Sequence, residues 1–160
     1  MKAREISDLI IAGIKGLIPL AILMMFAFAI GNVTRELKTG IYVAQLADMF
    51  LNPSFIPVIL FLISCFIAFS TGTSWGTFAI MIPIAVPVAG IMDINLALVV
   101  ASVLGGGVFG DHCSPISDST IVSSMAAASD HIDHVRTQLP YALTAAGLAA
   151  LFYLISGILF

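Results

Sequence analysis

The chain has 160 residues, is 60% hydrophobic and only 9% charged, and has a mean hydropathy of +1.12. Six bases against nine acids leave a formal charge of −3, too little for a basic nucleic-acid surface or an acidic tail. Residues 16–34, 49–92, 94–110 and 137–160 contain no Asp, Glu, Lys or Arg, which excludes a soluble enzyme, a disordered chain or a nucleic-acid binder and predicts an all-α integral membrane protein, since each crossing needs about 20 apolar helical residues.

Residues 1–15 intersperse Lys2, Arg4, Glu5, Asp8 and Lys15 with Ile6, Leu9, Ile10 and Ile14, the pattern of an interfacial lead-in. A first crossing follows over 16–34. Ala27-Phe28-Ala29 mimics a signal-peptidase site, but the apolar run continues past it. Over 41–51, Ala44, Ala47, Phe50 and Leu51 share one helical face while Gln45 and Asp48 fall elsewhere. This predicts an interfacial helix stopped by Asn52-Pro53. The next uncharged stretch is interrupted at 70–77, where Ser70-Thr71-Gly72-Thr73-Ser74-Trp75-Gly76-Thr77 carries five hydroxyls and two glycines. A re-entrant hairpin over 55–91 with its tip at 70–77 is expected, its second arm kinked by Pro83 and Pro87.

A discontinuous crossing is predicted over 94–129, meeting Gly105-Gly106-Gly107 and then breaking at 109–117. Its helix restarts at Asp118 as N-cap. Residues 130–136 read as a polar loop, and Thr137 or Gln138 would cap a last crossing over 138–160 with Pro140 in its first turn. Lys2, Arg4, Lys15 and Arg136 then share one side against Arg35 and Lys38. That count favours the N-terminus and the 130–136 loop in the cytoplasm, and the cell's inner membrane is the expected location.

Helix broken within membrane-length apolar sequence is costly unless the freed backbone groups face protein, water or an ion. Thr71, Thr73 and Ser74 offer the neutral oxygens that a dehydrated Na⁺ accepts. Asp111 and Asp118 are ionisable at membrane depth, where a carboxylate must hold a proton or pair with a cation. Those are the two states a proton/cation exchanger alternates between, so both aspartates are candidates for proton coupling. His112 adds a group that titrates near neutral pH. Ser114, Ser117 and Thr120 add further oxygens, and Pro115 keeps the break open. The expected Na⁺ position lies at Asp118, Thr73 and Ser117. Helix ends near 69 and 108 direct carbonyls at the gap, while restarts near 78 and 118 direct N–H groups there, which permits Na⁺ alone or Na⁺ with an organic anion. Asp130-His131-Ile132-Asp133-His134 has metal-ligand spacing without a further cluster to complete it, and reads as a solvated loop that could sense pH. Cys65 and Cys113 belong to no C-x-x-C pair.

The stretches Phe69–Thr77, Met81–Ala85, Val108–Thr120, Asp130–Val135 and Thr137–Tyr141 resemble the C-terminal part of the NhaC family of Na⁺/H⁺ antiporters, and the similarity covers essentially the whole chain. The resemblance implies one half of an inverted-repeat, elevator-type transporter of the ion-transporter superfamily. It also implies Na⁺/H⁺ antiport, with Na⁺/H⁺-coupled exchange of small carboxylates such as malate and lactate as the alternative. No cofactor is expected, Na⁺ and H⁺ being the transported ions. Family members are about three times longer than this chain. The expected partners are therefore the lipid bilayer, further copies in a homo-oligomer, and a missing N-terminal repeat or complementary chain. A non-transporting accessory subunit or truncated remnant is a third reading.

Overall fold

The computed structural model describes residues 3–160 and, in the first helix, all side chains except those at 3–5, 9, 16–17, 19–20, 23–24 and 27. Among these residues every regular element is a helix and none is a strand. Helix α1 spans Ala3–Glu36, so the charged segment and the first apolar run form one 34-residue helix. Lys2, part of the expected lead-in, lies outside the described residues. Lys38 takes a left-handed conformation (φ 54°) and lets α2 start at once, over Thr39–Phe50. Asn52 accepts a hydrogen bond from the Ser54 amide and so caps a 3₁₀ turn at Pro53–Phe55 that leads into α3.

Helices α3 (Ile56–Thr71) and α4 (Ser74–Ile91) are separated only by Gly72 and Thr73. The eight-residue interruption expected at 70–77 is thus a two-residue turn. The hydroxyls of Thr71, Thr73 and Thr77 are absorbed by the helices on either side. Thr71 Oγ1 donates to the Ile67 carbonyl and Thr77 Oγ1 to that of Thr73, while the Thr73 hydroxyl caps α4 by accepting from the Gly76 amide. Pro83 and Pro87 lie inside α4. Pro87 removes the amide that would bond the carbonyl of Pro83. Gly40 of α2 packs there: a Cβ on it would sit 2.6 Å from that carbonyl oxygen.

Helix α5 (Leu96–Cys113) starts at Asn95, whose side chain accepts from the amides of Ala97 and Leu98. It runs through the glycine cluster and beyond 109, so the break is confined to 114–117. The glycines serve packing here. Gly106 lies against the Phe61 carbonyl and Ser64, and Gly110 against the Cys65 carbonyl and Ala68. Absence of Cβ lets the α3 and α5 backbones approach closely, as small residues do between membrane helices, and this is the most extensive helix pair in the fold. Helix α6 covers Asp118–Ala126, and Ser117 rather than Asp118 is its N-cap. Helix α7 covers His131–Leu159. The segment expected as a polar loop is its first two turns, because Asp130 accepts hydrogen bonds from the amides of Ile132 and Asp133. Thr137, instead of capping, donates to the Asp133 carbonyl one turn back.

Ile56, Leu60, Met81, Ala85, Val88, Val99 and Val103 form the core where α3, α4 and α5 meet. Outside it the apolar side chains face outward: Phe66 is 73% exposed, Phe152 66% and Met125 75%. Among the described residues, four segments, Pro53–Thr71, Ser74–Ile91, Leu96–Cys113 and His131–Leu159, are long and apolar enough to cross a bilayer. Hydrocarbon outside and matched helix lengths make this an all-α membrane protein.

Candidate functional site

The two interruptions face each other. Gly72 is held at φ +69°, a left-handed conformation that glycine adopts without steric cost. A Cβ there would also meet the Ile116 carbonyl oxygen at 2.8 Å, so the α3–α4 turn packs directly on the α5–α6 break. Ser114, fully buried, donates from Oγ to the Phe69 carbonyl at 2.8 Å. Phe69 lies in the last turn of α3, where carbonyls lack helical partners. Thr120 Oγ1 does the same for α5, donating to the His112 carbonyl at 3.1 Å.

At the centre is Asp111, in the last turn of α5 and only 9% exposed. Its Oδ1 accepts from Ser117 Oγ at 2.6 Å. Its Oδ2 accepts from Ser74 Oγ at 3.2 Å and, more weakly, from Ser119 Oγ at 3.5 Å. Ser117 Oγ also lies 2.8 Å from Ser119 Oγ. Ser74 opens α4 and Ser117 caps α6, so the carboxylate sits where two helices present their N-terminal, positive dipole ends. A buried carboxylate ringed by neutral hydroxyls has hydrogen bonds but, among the described residues, no basic partner. Burying a carboxylate without a basic partner is costly unless its charge is neutralised.

Of the residues singled out in the sequence, the fold brings Asp111, Ser74 and Ser117 together, with Ser114 and Thr120 buried behind them as braces. Thr73 stands at the rim as a helix cap. Thr71 is exposed and bonded within its own helix. His112 is exposed and turned back, with Nδ1 2.8 Å from the Val108 carbonyl. Asp118 is the first residue of α6 and exposed; among the described residues it makes no hydrogen bond to the cluster. Ser119 is the member that sequence reasoning missed, and its density of neighbouring hydroxyls at 117–120 was the available signal. Among the described residues no group of three His, Cys, Asp or Glu side chains forms a metal cluster.

A family described as the Na⁺/H⁺ antiporter family matches residues 1–158. An uncharacterized protein of Haemophilus influenzae is 45% identical over 92% of this chain and 28% of its own length. A malate-2H⁺/Na⁺-lactate antiporter of Bacillus subtilis is 32% identical over 69% of this chain and 24% of its own. An uncharacterized Na⁺/H⁺ antiporter of Haemophilus influenzae is 32% identical over 68% and 23%. The chain thus spans about a quarter of the length of these relatives. No solved structure matches it significantly.

Proposed function

The chain belongs to the Na⁺/H⁺ antiporter family, and from that premise we propose that it forms the ion-exchanging part of a secondary transporter in the cell membrane, with Asp111 alternating between a proton and Na⁺. The observation that supports this reading is the position of Asp111: buried, ringed by Ser74, Ser117 and Ser119, and without a basic partner among the described residues. In the protonated state the carboxyl is neutral and its hydroxyl neighbours satisfy it. In the sodium state the same hydroxyls turn their lone pairs to the cation, and Asp111 supplies the compensating charge. The two occupancies exclude each other because one carboxylate carries one negative charge, and exchange follows from that exclusion. In everted vesicles bearing the full chain, Na⁺ collapses a preset pH gradient, and Asp111→Asn removes the response while Asp118→Asn keeps it. A response that survives Asp111→Asn overturns the assignment.

Exchange of small carboxylates is the second reading, favoured by a cleft of about 330 Å³ beside the start of α4 whose lining includes Asn32, Arg35, Trp75 and Phe78. A carboxylate there would meet a guanidinium, and the malate/lactate relative is named for such anions. This reading expects proton movement to require malate or lactate as well as Na⁺. A non-transporting accessory role expects no flux under either condition.

A further inference from the structure

Helix α7 is fastened to the rest of the fold near both ends and stands away from it in between. Towards its C-terminus, the Tyr153 hydroxyl donates to the Ala101 carbonyl at 2.9 Å, and the Tyr153 and Phe61 ring centroids lie 5.1 Å apart. Towards its N-terminus, His131 Nε2 lies 2.7 Å from the Pro115 carbonyl oxygen. Between these ties a cleft of about 360 Å³ is left where α3, α5 and α7 meet, walled by Cys65, Phe66, Phe69, Phe109, Leu139 and Leu143. Phe66, Phe69 and Leu143 are exposed, so the cleft opens outward, to hydrocarbon. Its walls offer aliphatic groups, aromatic rings and thiols but no charge.

The mouth of the cleft is different. Arg136, Leu139 and Leu143 follow one another at i, i+3 and i+7, so the guanidinium arises from the face of α7 that walls the cleft. Asp133 lies one turn before Arg136, at the edge of the same face. Both side chains are exposed, and among the described residues neither makes an ion pair or a side-chain hydrogen bond. Asp130, by contrast, is engaged by the amides of Ile132 and Asp133. Depth follows from helix length. From Gln138 to Leu159 the helix rises about 33 Å, enough to cross a hydrocarbon core of about 30 Å. The turn that holds Asp133 and Arg136 therefore lies at the level of the lipid headgroups.

We propose that this cleft binds one phospholipid with a primary ammonium headgroup, a phosphatidylethanolamine, its acyl chain lying between α3, α5 and α7 and its headgroup spanning Arg136 and Asp133. The guanidinium donates to the phosphate oxygens, the pairing for which its planar fork is suited. Asp133 accepts from the ammonium, which carries N–H donors as a lysine side chain does. A choline headgroup has no such donor, and a glycerol headgroup has no positive charge. Asp130 and Asp133 against Arg136 leave the start of α7 net negative, which disfavours an anionic lipid. The inference goes beyond the exchange reading of Asp111 and does not rest on it.

The test is native mass spectrometry of the purified full chain in nonionic detergent, titrated with dioctanoyl phosphatidylethanolamine, phosphatidylcholine and phosphatidylglycerol. One phosphatidylethanolamine should bind saturably, roughly tenfold tighter than either of the others, the scale of one charge-assisted hydrogen bond. Asp133→Asn should erase that preference. Arg136→Gln should weaken all three lipids about tenfold through loss of the phosphate contact. Leu143→Trp, which puts a larger ring into the cleft from an exposed position, should abolish saturable binding without lowering the unfolding midpoint. Glycerophosphoethanolamine, the headgroup without chains, should bind at least about a hundredfold more weakly, since each buried methylene contributes severalfold. Equal affinity for the three lipids, a preference for phosphatidylglycerol, or wild-type binding by both Arg136→Gln and Asp133→Asn marks an unselective lipid annulus and overturns the proposal. Saturation by glycerophosphoethanolamine at the same concentration as the lipid overturns it as well, by assigning the contact to a soluble phosphate ester. These measurements need no transport, so a chain that moves no Na⁺ would refute the antiport reading while leaving the lipid site to be decided by its own result.

Discussion

Ser117 holds two posts at once. It caps α6 through the Ser119 amide and donates to Asp111. Its removal by Ser117→Ala should cost about 1–2 kcal/mol of stability, the range for a lost cap, and should raise the Na⁺ concentration needed for half-maximal response. Asp118 offers a contrast. It is exposed in the first turn of α6, so Asp118→Asn should cost less than about 1 kcal/mol, the scale of a charge–dipole contact, and leave exchange intact. Thermal unfolding in detergent, with vesicle assays alongside, separates the two residues. Sequence reading put both aspartates at the break, with the Na⁺ position at Asp118. What distinguishes them is helical phase. Asp111 continues the buried face made by Gly106, Gly107 and Gly110, whereas a new helix starts at 118 with its phase reset. The buried series Ser117, Thr120 and Ser124 is spaced at i, i+3 and i+7 and leaves Asp118 off that face. That spacing was legible, but only once the helix start was known.

At the scale of elements, the breaks announced themselves through Gly72 and Pro115, while their lengths did not. Hydroxyls that look like an open loop fold into helix by bonding the carbonyl one turn back, as Thr71 and Thr77 do. The glycines of α5 form a packing seam, with Gly106 and Gly110 against the α3 backbone, Gly107 against Phe78 of α4 and Gly105 against Tyr153 of α7. Neither outcome is local, so neither is readable from the segment alone. Two predictions belong here. Gly110→Ala puts a methyl within 2.7 Å of Ala68 Cβ and the Phe69 amide nitrogen, and should cost about 1–3 kcal/mol by overpacking. Gly90→Ala meets nothing within 4 Å and should be neutral or stabilising by up to about 1 kcal/mol from helix propensity. Unfolding midpoints of the two variants decide the matter, and equal losses would contradict the seam. Gly72→Ala should be damaging twice over, through its positive φ and through the approach of Ile116.

The whole molecule is built around a shared apolar interior of α3, α4 and α5, with α7 presenting no buried residue. Membrane class was legible from charge spacing alone, since hydrocarbon tolerates few ions whatever the fold. Sidedness is an inference from few basic residues. It expects Lys38→Cys and Asp93→Cys to react with an impermeant thiol reagent on intact cells, and Ser129→Cys only after permeabilisation. The opposite pattern would invert the topology. The central claim, however, is that one buried carboxylate takes Na⁺ and H⁺ in turn. It is tested most directly by Na⁺-driven collapse of a pH gradient in everted vesicles, comparing wild type with Asp111→Asn and Asp118→Asn. The account predicts collapse with wild type and Asp118→Asn and none with Asp111→Asn; collapse that persists in Asp111→Asn and disappears in Asp118→Asn would contradict it.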